Sequence, residues 1–450
     1  MTAEQILREI SEYCREAKLA ESTFGRLAVN DGKLTARLRY GGRITTETLD
    51  RIRAYMANHQ PGDARSALID QAPAPRQPTP AGEAAGTSER VPERHFRFFD
   101  NRQKYLLFVN TCSEKWVIGQ RVSLELANLH PRPPALRVFD AGVGDATVLA
   151  RVMRAMHARY PTMPFYVVGK EISLEDVRLT LEKLPDRFLE HPATVVVLTN
   201  LYYAEAPWLT VRSLAAANSL VWHELALSGT SAHEFEAQIT GLHPFLSETW
   251  RAAVSKTTGN PIYERPVVLV LYREDHKFLL DSVIPRRGQV VAEFDLVIAS
   301  HPYRARATTE FKATKVIAPL ARALGPGGRL IGIHSYGDNP GMAIIEKVWP
   351  GDDPFRCDRH QVLKAVRQAL GSLARGLNFN AYSDERSIFR YAMHALPSEV
   401  SGSIGTSTLL AAWNAAIYVA QVEDDRLGDV AKDGRYIEAT RAVLRAHGGL

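Results

Sequence analysis

The chain is expected to be an α/β protein built on a largely parallel sheet, and three stretches carry that expectation. "VFDAGVGDATVLARVM", residues 138 to 153, reads as a buried strand, an acid, two glycines two apart, then an amphipathic helix. About thirty residues on, the span of one strand-helix-strand unit, "MPFYVVGKEISLEDV" repeats the pattern with an apolar strand through Val168 that ends at Glu171. Later, "LARALGPGGRLIGIHSYGD" joins a helix to an apolar strand through Leu-Gly-Pro-Gly-Gly, where Pro326, Gly327 and Gly328 are expected to make a turn that reverses the chain into Leu330 to Ile333.

Composition bounds the rest. With 450 residues, 45% apolar and 23% charged, the chain has room for two or three domains and a large core. No run of about eighteen apolar residues occurs, so no transmembrane helix is expected. The start, MTAEQILREISEYCREAKLA, is charged throughout and lacks a signal-peptide core, so a cytoplasmic location is expected. Cys14, Cys112 and Cys357 fit no zinc spacing and read as structural thiols. The 14 histidines make no metal-binding pair around a glutamate, so no metal is expected. A net charge of +5 permits an anionic partner without requiring one.

Residues 1–60 read as a small all-helical unit, with Ile6, Ile10, Tyr13 and Cys14 at helical spacing. A helix from Ser22 to Ala28, a turn through Val29 to Gly32 and a helix from Lys33 to Tyr40 follow. Thr45 or Thr46 would cap a last helix facing inward with Leu49, Ile52, Ala54 and Met56. The arrangement resembles the helix-turn-helix domains of phage-repressor type. That resemblance implies DNA contact through Lys33, Arg37, Arg39 and Arg43, the competing reading being a solvated face on a docking module. Residues 61–94, with "QAPAPRQPTPAGEAAGTSERVPE", are rich in Pro, Ala and Gly and read as a flexible linker. Residues 95–450 form the main domain, opened by a mainly helical segment with Tyr105, Trp116 and Leu124 as packing residues.

The glycine turn admits two families. A dinucleotide fingerprint G-x-G-x-x-G would place a third glycine at position 147, which is Thr147. With the D-x-G-x-G of Asp140 to Gly144 and the late Leu-Gly-Pro-Gly-Gly, the main domain instead resembles the class I, Rossmann-like S-adenosylmethionine (SAM) dependent methyltransferases. The likeness covers about 136–200 and 292–335. It implies a seven-stranded sheet of order 3-2-1-4-5-7-6 with an antiparallel last pair, assigned to "SIFRYAMHAL" and "AAIYVAQV", and an insertion at about 203–292. It also implies SAM as cofactor. Asp140, Gly142 and Gly144 would receive the amino-acid end of SAM, Glu171 the ribose hydroxyls, Asn200 the adenine edge, with Ser300 nearby.

"SHPY", residues 300–303, resembles the [D/N/S]-P-P-Y loop of amino methyltransferases, with His301 in place of the first proline. Tyr303 would stack on a planar acceptor, and His301 would act as a general base. His334, Tyr336, Asp338, Tyr382 and Asp384 are candidate acceptor contacts on segments above the strand ends. The implied activity is methyl transfer, with nitrogen the preferred atom. The acceptor stays open between a small molecule and a nucleic acid, DNA is a candidate partner of the N-terminal unit, and a homodimer is compatible with the chain. The alternatives are a DNA-binding regulator whose methyltransferase-like domain only senses SAM, and an NAD-dependent dehydrogenase.

Overall fold

The computed structural model describes residues 3–17, 19–29, 31, 34–39, 46–58, 112–255, 260–392 and 405–447. The chain divides into two compact units, 1–90 and 91–450. The expected linker, 61–94, lies outside the described residues.

The first unit contains helices α1 (Ala3–Glu16), α2 (Glu21–Val29), α3 (Leu34–Arg39) and α4 (Thr46–Asn58). Ile6, Ile10, Tyr13 and Cys14 fall on one stripe of α1 and bury against Phe24, Leu34, Leu38 and Ile52. Phe24 packs on both Tyr13 and Tyr55, with ring centroids 5.4 and 5.5 Å away. Tyr55 therefore joins the inward face of α4, while Ala54 is exposed, against expectation. Gly25 is required where α2 meets the following turn: a Cβ there would lie 2.3 Å from the carbonyl oxygen of Asp31.

The second unit is a Rossmann-like α/β fold with nine strands among the described residues: β1 (Leu136–Asp140), β2 (Phe165–Lys170), β3 (Thr194–Thr199), β4 (Val221–Leu227), β5 (Ala252–Val254), β6 (Pro261–Tyr263), β7 (Val267–Arg273), β8 (Phe294–Ser300) and β9 (Leu324–Ile333); β5 and β6 pair by themselves, and the others form a seven-stranded sheet of order β4-β7-β3-β2-β1-β8-β9. Five strands, β1, β2, β3, β8 and β9, run parallel. Alternate side chains leave the sheet on opposite faces. Val138, Val167, Val196, Leu296 and Ile298 enter one core with α5 (Glu114–Glu125) and α6 (Thr147–Arg159). Phe139, Val168, Val195, Val197 and Val297 enter the other, which contains residues of the helical segment 309–321 and of Arg359–Leu370. Strands covered on both faces need no polar alternation, which is why β3 reads TVVVLT and is buried throughout.

The strands that run against the rest of the sheet do not come from the end of the chain. β4 (Val221–Leu227) and β7 (Val267–Arg273) both arise in the 203–292 insertion, β7 pairing antiparallel with β3 and β4 parallel with β7. "AAIYVAQV" instead largely belongs to the helix Thr406–Val419, where Ala412, Trp413, Ala416 and Ile417 are buried. An apolar run alone cannot separate strand from helix, and here its alanines and its length favour the helix. That helix packs with Pro340–Val348 and Arg435–His447 in a separate helical core. Of "SIFRYAMHAL", residues 388–392 form no strand and 393–396 lie outside the described residues. Leu-Gly-Pro-Gly-Gly is a bulge rather than a chain reversal. Pairing passes from Phe294↔Leu324 to Leu296↔Arg329, Gly327 has φ +77°, and a Cβ on Gly328 would lie 2.3 Å from Phe294 O.

Candidate functional site

The strand order reverses between β1 and β8, so the loops leaving their carboxyl ends diverge and open a crevice. The glycine turn and the Ser300–Tyr303 loop stand on either side of it. Gly142 is the open position of the turn: the nearest atom to a Cβ there would be Ser300 O, at 3.9 Å. Gly144 (φ +54°) and Ala146 (φ +60°) make the left-handed bends that send the chain into α6.

Two acids in this turn have opposite surroundings. Asp145 accepts from Lys183 Nζ at 3.0 Å, from Thr147 Oγ1 at 2.7 Å and from Lys115 Nζ. Burial works against its charge, but the two ammonium groups prevail and hold the carboxyl well below the usual range. Asp140 is 2% exposed and accepts the Gly142 N–H at 3.1 Å. Burial and, secondarily, the Glu171 charge push its pKa up to about 7.

Glu171 braces the turn. Its Oε2 accepts the Gly144 N–H at 2.9 Å, and its Oε1 accepts those of Ile172 and Ser173 at 2.7 and 2.9 Å. Tyr203 donates from its hydroxyl to Pro302 O at 2.7 Å, and Lys170 Nζ lies 4.9 Å from the centre of its ring. Asn200 does not face this space. Its amide donates to Arg265 O and accepts from Val267 N, both at 2.8 Å, locking the end of β3 to the start of β7. Tyr202 stacks on Tyr263 with centroids 4.6 Å apart.

His301 has φ +46°, a conformation closed to proline, so the loop differs in backbone shape from D-P-P-Y at this position. Two bonds hold it there. Its N–H donates to Ile333 O at 2.8 Å, and Nε2 lies 2.9 Å from Glu114 Oε1. Burial opposes the imidazolium, but the Glu114 carboxylate outweighs it, so the pKa is raised. The Tyr391 hydroxyl also bonds Glu114, reached because Ser113 and Ala392 exchange hydrogen bonds. Glu114 and Tyr391 carried no sequence signal: the first reads as an ordinary acid in a helix's first turn, the second lies 277 residues away in an irregular segment.

Tyr303 and His334 meet, hydroxyl to Nδ1, at 3.4 Å. Burial and the charges of Lys312 and His301 push the His334 pKa down to about 4. The other proposed acceptor contacts are elsewhere. Tyr336 reaches Asp384, Asp338 pairs with Arg390 while 75% exposed, and Tyr382 lies beside Arg386, all on an outer surface. In the first unit, Arg39 is committed to Glu21 through contacts of 2.7 and 2.8 Å, and Ser11 bonds the same carboxylate. Lys33 and Arg43 lie outside the described residues, and only the backbone of Arg37 is described.

Fold and site together define a Rossmann-like α/β protein with an acid-flanked glycine turn and a carboxylate-held histidine across one crevice. No family model, curated protein or solved structure matches the chain. Among the described residues no helix is long and apolar enough to cross a membrane.

Proposed function

We propose that the chain is a SAM-dependent methyltransferase, and the observation that carries this reading is the surroundings of Asp140. A buried carboxylate with one neutral donor, next to a second carboxylate, is disfavoured as an anion until a cation arrives. The ammonium of a bound amino acid is such a cation, and the open backbone at Gly142 leaves space for the group beside it. A pyrophosphate would meet the wrong sign of charge at Asp140 and Glu171, which disfavours the dehydrogenase alternative. Glu171 uses three of its roughly four acceptor positions on backbone N–H groups, leaving about one for a ribose hydroxyl.

When bound, SAM supplies an electrophilic methyl group on a sulfonium. The protein's contribution is to hold an acceptor in line with it and to take a proton. With His301 Nε2 occupied by Glu114, Nδ1 is the nitrogen left to accept a proton from an acceptor nitrogen, the tautomer being set by the carboxylate. Orientation of the two reactants accounts for most of the expected acceleration, roughly 7 to 11 kcal/mol at best.

Calorimetric titration of SAM and S-adenosylhomocysteine at pH 8 tests this reading. Micromolar binding, lost in Asp140→Ala, is the expected result. NADH binding without SAM binding would overturn it.

A further inference from the structure

A second feature borders the same loop. His301, Tyr303, Lys312, His334, Cys357 and Gln421 are among the residues lining a cavity of about 20 Å³. Lys312 is 1% exposed and lies in the stretch Lys312–Ile317, where the helix between β8 and β9 widens to π-helical hydrogen bonding. A π turn inserts one extra residue and re-aims the side chains around it, and such turns concentrate at functional sites. The ammonium has only weak compensation. It donates to Ala305 O at 2.8 Å, lies 5.2 Å from the Tyr303 ring centroid, and bonds the Cys357 sulfur. No carboxylate among the described residues forms an ion pair with it. The Asp352 carboxylate is taken by Arg306 and Arg426. Gln421 is fixed by accepting the Ala305 N–H at 2.9 Å. A buried cation without an anion is expensive to keep, and the cavity is where the missing charge would enter.

We propose that Lys312 seats a carboxylate of the methyl acceptor in this cavity, so that the acceptor's nucleophilic atom is presented on the side lined by His301. The cavity has room for about one water-sized group, enough for a carboxylate oxygen against the ammonium, so the substrate class is a carboxylate-bearing small molecule. The anion seat stands on the Lys312 geometry alone, while its role as an acceptor subsite rests on the methyltransferase reading.

The test is an NMR titration of the full chain with benzoate, alongside benzamide as the uncharged analogue and inorganic phosphate. Saturable benzoate binding is expected, weakened at least tenfold in Lys312→Met and retained in Lys312→Arg, with benzamide inert. Absent benzoate binding, equal binding to Lys312→Met, or tighter binding of phosphate would overturn the proposal. If Lys312→Met does not fold, the wild-type chain is treated with formaldehyde and a borane reductant. Benzoate is expected to slow methylation of Lys312 at least threefold, and an unchanged rate overturns the seat. S-adenosylhomocysteine is titrated in parallel. Its failure to bind beside Lys312-dependent benzoate binding removes the methyltransferase reading and leaves the seat. The converse removes the seat and leaves the enzyme.

Discussion

Asp140 and Asp145 stand five residues apart in one turn, and their neighbours give them opposite work. Asp145 is neutralised by Lys115 and Lys183 and holds the turn together. Asp140 has a folded pKa raised from 3.8 to about 7, so the folded state binds more protons than the unfolded between those values. Its ionisation costs stability as pH rises through that window, and the cost is constant above it. Asp140→Asn is therefore expected to gain on the order of 2–4 kcal/mol relative to wild type at pH 8, and little at pH 4, in urea unfolding. The same variant is expected to lose SAM binding, which separates a functional charge from a structural one. In the wild type, SAM affinity is expected to fall up to about tenfold per pH unit below 7, as protonation removes the anion, and calorimetry at pH 6 and 8 measures it. Glu114 acts through His301. With Glu114→Gln the raised imidazole pKa loses its cause, so the midpoint of the acid limb of the rate profile should move to lower pH and turnover should drop about tenfold or more. A purely structural role would leave that midpoint in place.

Among the elements, the join between α2 and α3 is controlled by one missing side chain. Asp31 N–H donates to Gly25 O at 2.9 Å, and Asp31 O sits where a Cβ at position 25 would be. Gly25→Ala is expected to destabilise the first unit by about 1–3 kcal/mol, seen as a lower-temperature phase in the thermal melt of the full chain. The short helices and their boundaries were legible because glycine and asparagine turns separate them. The inward turn of Tyr55 was not, because α4 has no clean apolar stripe and its orientation is set by Phe24 on another helix. The helix Thr406–Val419 shows the same limit, its apolar run being long enough for either period until its neighbours in space select one.

At the scale of the molecule, protection should follow the sheet. β1, β2, β3, β7 and most of β8 are buried between two helical layers, whereas β4 is a half-exposed edge and β9 carries an exposed glycine bulge. Hydrogen exchange read by mass spectrometry is expected to leave peptides from the five inner strands protected longest, with β4 and the start of β9 exchanging first. Early exchange in β7 would contradict its place inside the sheet. The stretch PVVLVLYREDHKFLLDSVIP reads as hairpin-like, but only its first half is a strand, β7, and its position beside β3 has no local mark because pairing joins strands distant in the chain.

The parallel α/β core, the glycine turn after β1 and the acid after β2 are legible in the amino-acid sequence, because each is a local pattern of apolar period and turn chemistry. Tertiary packing sets which edge of the sheet receives the two reversed strands, which histidine nitrogen is held by Glu114, that Asn200 is spent on the backbone, and that Lys312 is buried with no carboxylate paired to it among the described residues. Those properties depend on what lies across a space of a few ångströms, and charge, burial and hydrogen-bond capacity are settled there by residues far apart in the chain.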